Sequence, residues 1–309
     1  MLSRAAERIY WAGRYLERAE NTARIVQQYS QLLLDLPAEV GVGWSELIEI
    51  FGAAAEFDAR GAARDEQAIL DFLLANDGGS SSLARCIHMA RDNIRNSRDL
   101  LPQESWENSN ELYQFALNEL AQSMSGEDRF EVLSDCIGRC QQINGVLTGT
   151  MSHKEPLRFL TLGQNIERAD MSSRIIDVAA AYLQYNERLV SRYGSTLWTN
   201  VLKSVSGFQM YRQYCQPAVE GPAVIDFLVN DTAFPRAIRA CMRHAKRSAQ
   251  QLPRHEGLLE VLLATEEFLP LTLPEALQGA AVTELMDELQ IRLGEVHATV
   301  AATWFLPQD

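Results

Sequence analysis

Two stretches of this 309-residue chain, GRYLERAENTARIV at 13–26 and GQNIERADMSSRII at 163–176, align without a gap. They share Gly13/Gly163, Glu17/Glu167, Arg18/Arg168, Ala19/Ala169, Arg24/Arg174 and Ile25/Ile175. They exchange like for like at Leu16/Ile166, Glu20/Asp170, Thr22/Ser172 and Val26/Ile176. Any fold of the chain must accommodate this charged segment twice. The match continues downstream, where Trp44-Ser45-Glu46-Leu47-Ile48 answers Trp198-Thr199-Asn200-Val201-Leu202 at an offset of 154. FLLANDGGSSSLARCI at 72–87 then answers FLVNDTAFPRAIRACM at 227–242 at an offset of 155. Three blocks in constant order imply duplication of a unit of about 150 residues, with 1–150 as the first copy and 151–309 as the second. Two copies are expected to pack around a pseudo-dyad and share a core rather than extend as a solenoid.

The apolar period is helical nearly throughout. Val282, Leu285, Leu289, Leu293, Val296, Val300 and Trp304 recur at steps of three and four and predict one long C-terminal helix. Ala12, Leu16, Ala19, Ala23 and Val26 draw a second stripe on a helix expected to begin at Ser3 as its N-cap. Breakers separate such segments at Pro37–Gly43, Asp77-Gly78-Gly79, Pro102, Gly126, Pro156, Pro217–Pro222, Pro253 and Pro270–Pro274. No run sustains period-two alternation. The expected fold is all-α, a helical bundle.

A net charge of −13 repels phosphate backbones and anionic headgroups at long range, which argues against nucleic acid and membrane surfaces as partners. No apolar run approaches the ~18 residues of a membrane span, and the charged start lacks the apolar region of a signal peptide. The five cysteines, Cys86, Cys136, Cys140, Cys215 and Cys241, are odd in number and scattered, as expected of reduced packing thiols in a cytoplasmic protein. Cys136 and Cys140 are one helical turn apart, on one helix face.

At 100° per residue, Arg14, Glu17, Arg18, Glu20, Asn21 and Arg24 cover roughly 160° of a helix. Two arrangements fit that arc. In one it is a solvated face tied by Arg14–Glu17, Glu20–Arg24 and Asp170–Arg174 pairs, each contributing a few tenths of a kcal/mol. In the other the two arcs meet at the pseudo-dyad, where Arg18 and Arg168 reach the opposite Glu167 and Glu17. Buried groups of that kind need full pairing, and clustered guanidiniums suit a carboxylate or phosphate. The segment DTAFPR, Asp231 to Arg236, reads as a loop entering a helix, with Pro235 near N1 and Arg236 in the first turn. The candidate binding residues are therefore Arg14, Glu17, Arg18, Glu20, Arg24, Glu167, Arg168, Asp170, Arg174, Asp231 and Arg236. There is no P-loop, dinucleotide fingerprint, HExxH or GxSxG. None of the five histidines has a Glu three residues before it, as a di-iron bundle requires. No catalytic set, metal or cofactor is implied.

The stretches LSRAAERIYWAGRYLERAENTAR (2–24) and FLTLGQNIERADMSSRIID (159–177), with GTM at 149–151 and FLVNDTAFPR at 227–236, resemble the alpha-E family along the whole chain. These are bacterial all-helical proteins named for their Glu-Arg motif. Two positions depart from the family pattern: Gln164 stands where an Arg is usual, and GGSSS at 78–82 replaces an Asn-Pro-Ser-like helix start. Family members are commonly encoded beside, or fused to, circularly permuted ATP-grasp proteins, with transglutaminase-like or proteasome-like peptidases at times alongside. The resemblance implies a partner of an ATP-grasp ligase in ATP-dependent peptide or amide synthesis, holding the ligase or a carboxylate-bearing amino acid or peptide. Two alternatives stay open: an enzyme of acyl or amino transfer using the paired Glu/Arg cluster, and a structural scaffold that forms a homo-oligomer.

Overall fold

The computed structural model describes residues 1–37, 41–75, 79–120, 126–184, 187–215, 218–271 and 279–306. The breakers expected at Asp77, Gly78 and Pro217, and parts of those at 37–43 and 270–274, lie outside these residues. The described residues form fourteen helices and no strand. In the first half these are α1 (Ser3–Asp35), α2 (Ser45–Ile50), α3 (Ala54–Asp58), α4 (Glu66–Leu74), α5 (Leu83–Arg95), α6 (Gln103–Glu119) and α7 (Gly126–Thr150). The second half contributes α8 (Glu155–Gln184), α9 (Glu187–Ser204), α10 (Phe208–Tyr214), α11 (Gly221–Asn230), α12 (Ile238–Ala249), α13 (Glu256–Phe268) and α14 (Ala280–Trp304).

Local chemistry sets many of the boundaries. Asp65 accepts from the Ala68 N–H to cap α4, and Ser82 accepts from the Arg85 N–H to cap α5. Pro222 opens α11, where its missing N–H leaves no helical bond unmade. The N-cap of α1 is Leu2, with no side-chain cap, so Ser3 lies inside the helix rather than before it. On α14 the buried stripe is Val282, Met286, Leu289, Leu293, Val296, Val300 and Trp304. Met286 thus takes the place expected of Leu285, which is half-buried.

The two longest helices form the centre. α1 packs directly on α8; α5 and α7 flank α1, while α12 and α14 flank α8. α6 then covers α5 and α7, and α13 covers α12 and α14. α1 is consequently surrounded: eighteen of its 33 residues are buried, Arg14, Glu17, Glu20 and Asn21 among them. A helix that carries charge where it should be dry needs partners of opposite sign from its neighbour.

The approach of α1 to α8 is set by two glycines. A Cβ on Gly13 would overlap the Leu160 carbonyl, and a Cβ on Gly163 would overlap the Tyr10 carbonyl. The contacts are reciprocal, and in each the obstacle is backbone. Neither backbone can yield without moving a whole helix, so no other residue fits at this distance.

Replacing a helical glycine by alanine ordinarily stabilises a helix by up to about 1 kcal/mol. Gly294→Ala, in α14 with open space around its Cβ position, is expected to behave that way. Gly163→Ala is expected to reverse the sign and destabilise by roughly 1–3 kcal/mol through overpacking. Urea denaturation of the two variants beside the parent chain compares them directly.

Candidate functional site

The polar arcs of α1 and α8 face each other across this contact. Glu17 and Glu167 have no solvent exposure at all. A buried carboxylate is tolerated only when neutralised and hydrogen-bonded. Arg18 reaches across from α1 and grips Glu167 with both edges of its fork, Nε to Oε1 at 2.5 Å and Nη2 to Oε2 at 2.9 Å. Arg14, one turn earlier, donates from Nε to Oε2 at 2.7 Å. Burial pushes the Glu167 carboxyl up, but Arg18 and Arg14 together outweigh it and hold the group down at about 2. The solvated-face arrangement of the arc is thereby excluded. The expected Arg14–Glu17 pair is also not formed, because Arg14 turns to the opposite helix.

Glu17 is served in the reverse direction. Arg168 of α8 brings Nε to 2.9 Å from Oε2, and Arg236 brings Nη1 to 2.6 Å from Oε1. Burial again raises the carboxyl, and Arg236 and Arg168 more than offset it, so Glu17 also titrates below its ordinary range. These contacts differ in quality from those of Glu167. The ion pairs are close, but neither Glu17 oxygen receives an aligned hydrogen bond among the described residues.

Each buried glutamate thus has two guanidiniums, but the second comes from a different place in each half. For Glu167 it is Arg14, on the same helix as Arg18. On α8 the matching position is Gln164, which instead donates to Asn144 Oδ1 at 2.8 Å. Arg236 fills that gap from the turn ahead of α12, where its Nη1 also donates to Asn21 Oδ1 at 2.5 Å and its Nη2 to Glu20 Oε1 at 3.0 Å. Its carbonyl accepts from Ser172 Oγ at 2.8 Å, which ties the turn to α8. The corresponding residue in the first half, 155 positions earlier, is Ser81, whose Oγ accepts from Arg18 Nη1 at 3.2 Å. The arginine absent from α8 is thus supplied by the turn ahead of α12.

Pro235 and Arg236 do not start α12 as the sequence implied. The helix begins at Ile238, and both residues sit in the preceding turn. Asp231 builds that turn by accepting from the Ala233 and Phe234 N–H groups at 2.7 and 2.6 Å, and among the described residues no hydrogen bond or ion pair joins it to the cluster. The expected i,i+4 pairs do form, Arg24–Glu20 at 2.6 Å and Arg174–Asp170 at 3.0 Å. Glu20 additionally accepts from Arg236 and, at 3.2 Å, from Gln141 Nε2.

Several contributors carried no signal in the sequence. The Arg14 guanidinium stands 5.4 Å from the Trp11 ring centroid, and that of Arg18 stands 5.9 Å from Tyr15. His297 on α14 meets the Tyr10 hydroxyl through Nδ1 at 2.8 Å. Burial and then Arg14 push the imidazole down to about 4, so it is neutral at pH 7. The thiols of Cys86 and Cys241 lie beside Arg18 and Arg168, respectively, and burial pushes both up to about 12. They are packing groups, not nucleophiles. Among the described residues there is no cluster of His, Cys, Asp and Glu able to hold a metal, and no helix long and apolar enough to cross a membrane.

The model of the Alpha-E family, a predicted alpha-helical domain with a conserved ER motif, matches residues 1–305. The chain belongs to the Alpha-E family. Comparison with curated proteins and with solved structures gave no match. In this Alpha-E protein the two letters of the motif have separate physical duties. Adjacent residues on a helix point about 100° apart, so Glu17 and Glu167 enter the dry contact while Arg18 and Arg168 lean outward around the neighbouring helix. Neither motif neutralises its own glutamate. Each requires the other.

Glu167→Gln removes one charge and leaves Arg14 and Arg18 buried against a neutral amide, so it is expected to cost about 3–5 kcal/mol at pH 7. Because the folded carboxyl titrates near 2, against 4.5 when unperturbed, its contribution is present above about pH 4.5 and is lost as pH falls from there towards 2. Glu17 shifts the same way. Denaturation curves at pH 7, 4 and 3 are expected to show the parent chain losing stability with acid, and the Gln variant losing less.

Proposed function

We propose that this Alpha-E protein is a rigid, non-catalytic partner of an ATP-grasp-type ligase in ATP-dependent peptide or amide synthesis, presenting a carboxylate-binding surface to the acceptor or to the ligase. The ligase half of this reading comes from the family resemblance. The non-catalytic half is carried by one observation: each glutamate of the ER motif is clamped between two guanidiniums, and Glu167 is held near 2. A general base or carboxylate nucleophile works best with a pKa near the operating pH. A carboxylate held near 2 is a weak base and has its lone pairs already committed. Acyl or amino transfer at the cluster is therefore the less favoured reading.

The same arithmetic supports attraction of an anion. Arg14, Arg18, Arg24, Arg168, Arg174 and Arg236 are six cations against four anions, Glu17, Glu20, Glu167 and Asp170, which leaves an excess of two positive charges. The side chains of Arg18 and Arg168 are 21% and 22% exposed, so part of that excess faces solvent. In a chain of net charge −13 this is a local site for a carboxylate.

Co-expression with an ATP-grasp ligase from the same genome tests the reading. The two chains are expected to co-purify, and ATP-dependent amide formation is expected to need both. Amide formation by the isolated chain would return the enzyme reading, and failure to co-purify together with unchanged ligase activity would remove the partner reading.

A further inference from the structure

About three turns beyond Glu17 on α1, roughly 18 Å along the helix, Tyr29 lines a cleft bordered by α1, α2, α8 and α9. The empty space in it, open mouth included, is about 540 Å³, narrowing to an inner cavity of about 50 Å³. Continuing the repeat alignments without a gap matches Tyr29 with Ala179 at an offset of 150, and Glu46 with Asn200 and Ile50 with Ser204 at an offset of 154. All six residues line the cleft, and the rest of the lining is apolar. Equivalent positions of the two halves therefore face one space.

The pairs are unequal. On the first side the Tyr29 hydroxyl donates to the Gly43 carbonyl at 2.9 Å and to Glu46 Oε2 at 3.4 Å. On the second side Ala179 has nothing beyond its Cβ, and Ser204 stands where the first half has Ile50. The second half thus leaves open what the first half fills.

Two polar groups in this apolar setting hold unused acceptors. Glu46 Oε2 accepts from the Gly43 N–H at 3.1 Å as well as from Tyr29, while Oε1 accepts nothing among the described residues. Asn200 donates from Nδ2 to the Gln28 carbonyl at 2.7 Å, and its Oδ1 accepts nothing among the described residues. Glu46 is half-buried, yet unlike Glu17 and Glu167 it has no ion pair among the described residues. Burial pushes its carboxyl up, and what counters it is hydrogen bonding from the backbone and Tyr29 rather than a cation. A partly desolvated carboxylate with no counter-charge attracts one.

We propose that this cleft binds a primary ammonium group carried on a slim hydrocarbon chain, with Glu46 holding the ammonium, Asn200 as a second acceptor, and the chain lying against Ala179 and Ser204. An ammonium has three donors and no acceptor, which suits a site whose free groups are acceptors. The inner cavity sets the girth of the chain. An apolar cavity that takes benzene measures roughly 150 Å³, so at about 50 Å³ a straight chain fits and a ring does not. This site lies apart from the ER cluster and does not depend on the ligase reading, since amine binding is measured on the isolated chain.

The test is an NMR titration of the full chain with straight-chain primary amines from propylamine to hexylamine, and with 1-pentanol and pentanoate as neutral and anionic counterparts. Affinity is expected to rise about three- to fourfold per methylene until the cleft is filled, and pentylamine to bind about tenfold or more tighter than 1-pentanol. Glu46→Gln keeps the shape of the side chain, so it is expected to lower pentylamine affinity about tenfold and to leave 1-pentanol unchanged. Ala179→Leu restores side-chain volume and is expected to weaken amine and alcohol alike; should it fail to fold, the Glu46→Gln comparison decides alone. Nα-acetyl-lysine amide separates two sources of such a group: a lysine side chain if it binds at least as well as butylamine, a free amine if it binds less. The proposal is overturned if pentylamine binds no better than 1-pentanol or pentanoate, if Glu46→Gln binds pentylamine as the parent does, or if a folded Ala179→Leu variant keeps the parent affinity.

Discussion

Glu17 and Glu167 sit without solvent at the place where the two central helices touch, and the rest of the structure is arranged around their neutralisation. Two like charges in such a position repel one another, and burial alone would drive both to accept a proton. Four guanidiniums reverse that outcome: Arg14 and Arg18 from α1, Arg168 from α8, and Arg236 from the turn ahead of α12. Those arginines can reach only because Gly13 and Gly163 bring the helix backbones into contact. A pair of ordinary side chains there would separate the helices and lengthen every one of these ion pairs. Close backbone approach and buried charge are thus one constraint. A cluster of this kind adds less to stability than an apolar core of equal volume. What it does add is a single register for α1 against α8, because sliding either helix by a turn would leave a glutamate unpaired.

The two halves satisfy this constraint by different routes. Glu167 receives three aligned hydrogen bonds from helix-borne arginines, whereas Glu17 depends on a loop arginine and on contacts at ion-pair distance with poorer alignment. Arg18 donates to both oxygens of Glu167 and to Ser81, whereas Arg168 donates no aligned hydrogen bond among the described residues.

Much of the fold was legible in the residues because helical period is a local property. Apolar spacing of three and four, with Pro102, Pro156 and Pro222 at helix starts, is enough for an all-α chain, and it placed α1 and α14 closely. Errors arose where a side chain's partner lies far away in sequence. Leu285 and Met286 both suit the stripe on α14, and packing against other helices decides between them. Ser3 suits a cap, but the helix begins one residue earlier than a cap there would allow. Pro235 suits a first helical turn, yet Asp231 folds the segment into a turn of its own.

The Glu-Arg arcs show the same division most clearly. From sequence alone the chain determined that α1 and α8 carry equivalent charged arcs, that the arc of α1 lies opposite an apolar stripe, and that the chain is an all-helical member of the Alpha-E family. Periodicity and motif spacing are written in neighbouring residues and survive without a fold. Whether those arcs face water or each other was decided by tertiary structure, because burial depends on what packs above a surface. The glycine contact, the turning of Arg14 away from Glu17, the arrival of Arg236 from 219 residues beyond Glu17 (236 − 17 = 219) and the meeting of Arg168 with α12 all join groups distant along the chain. Charge compensation at such distances has no local pattern, so only the packed molecule could specify it.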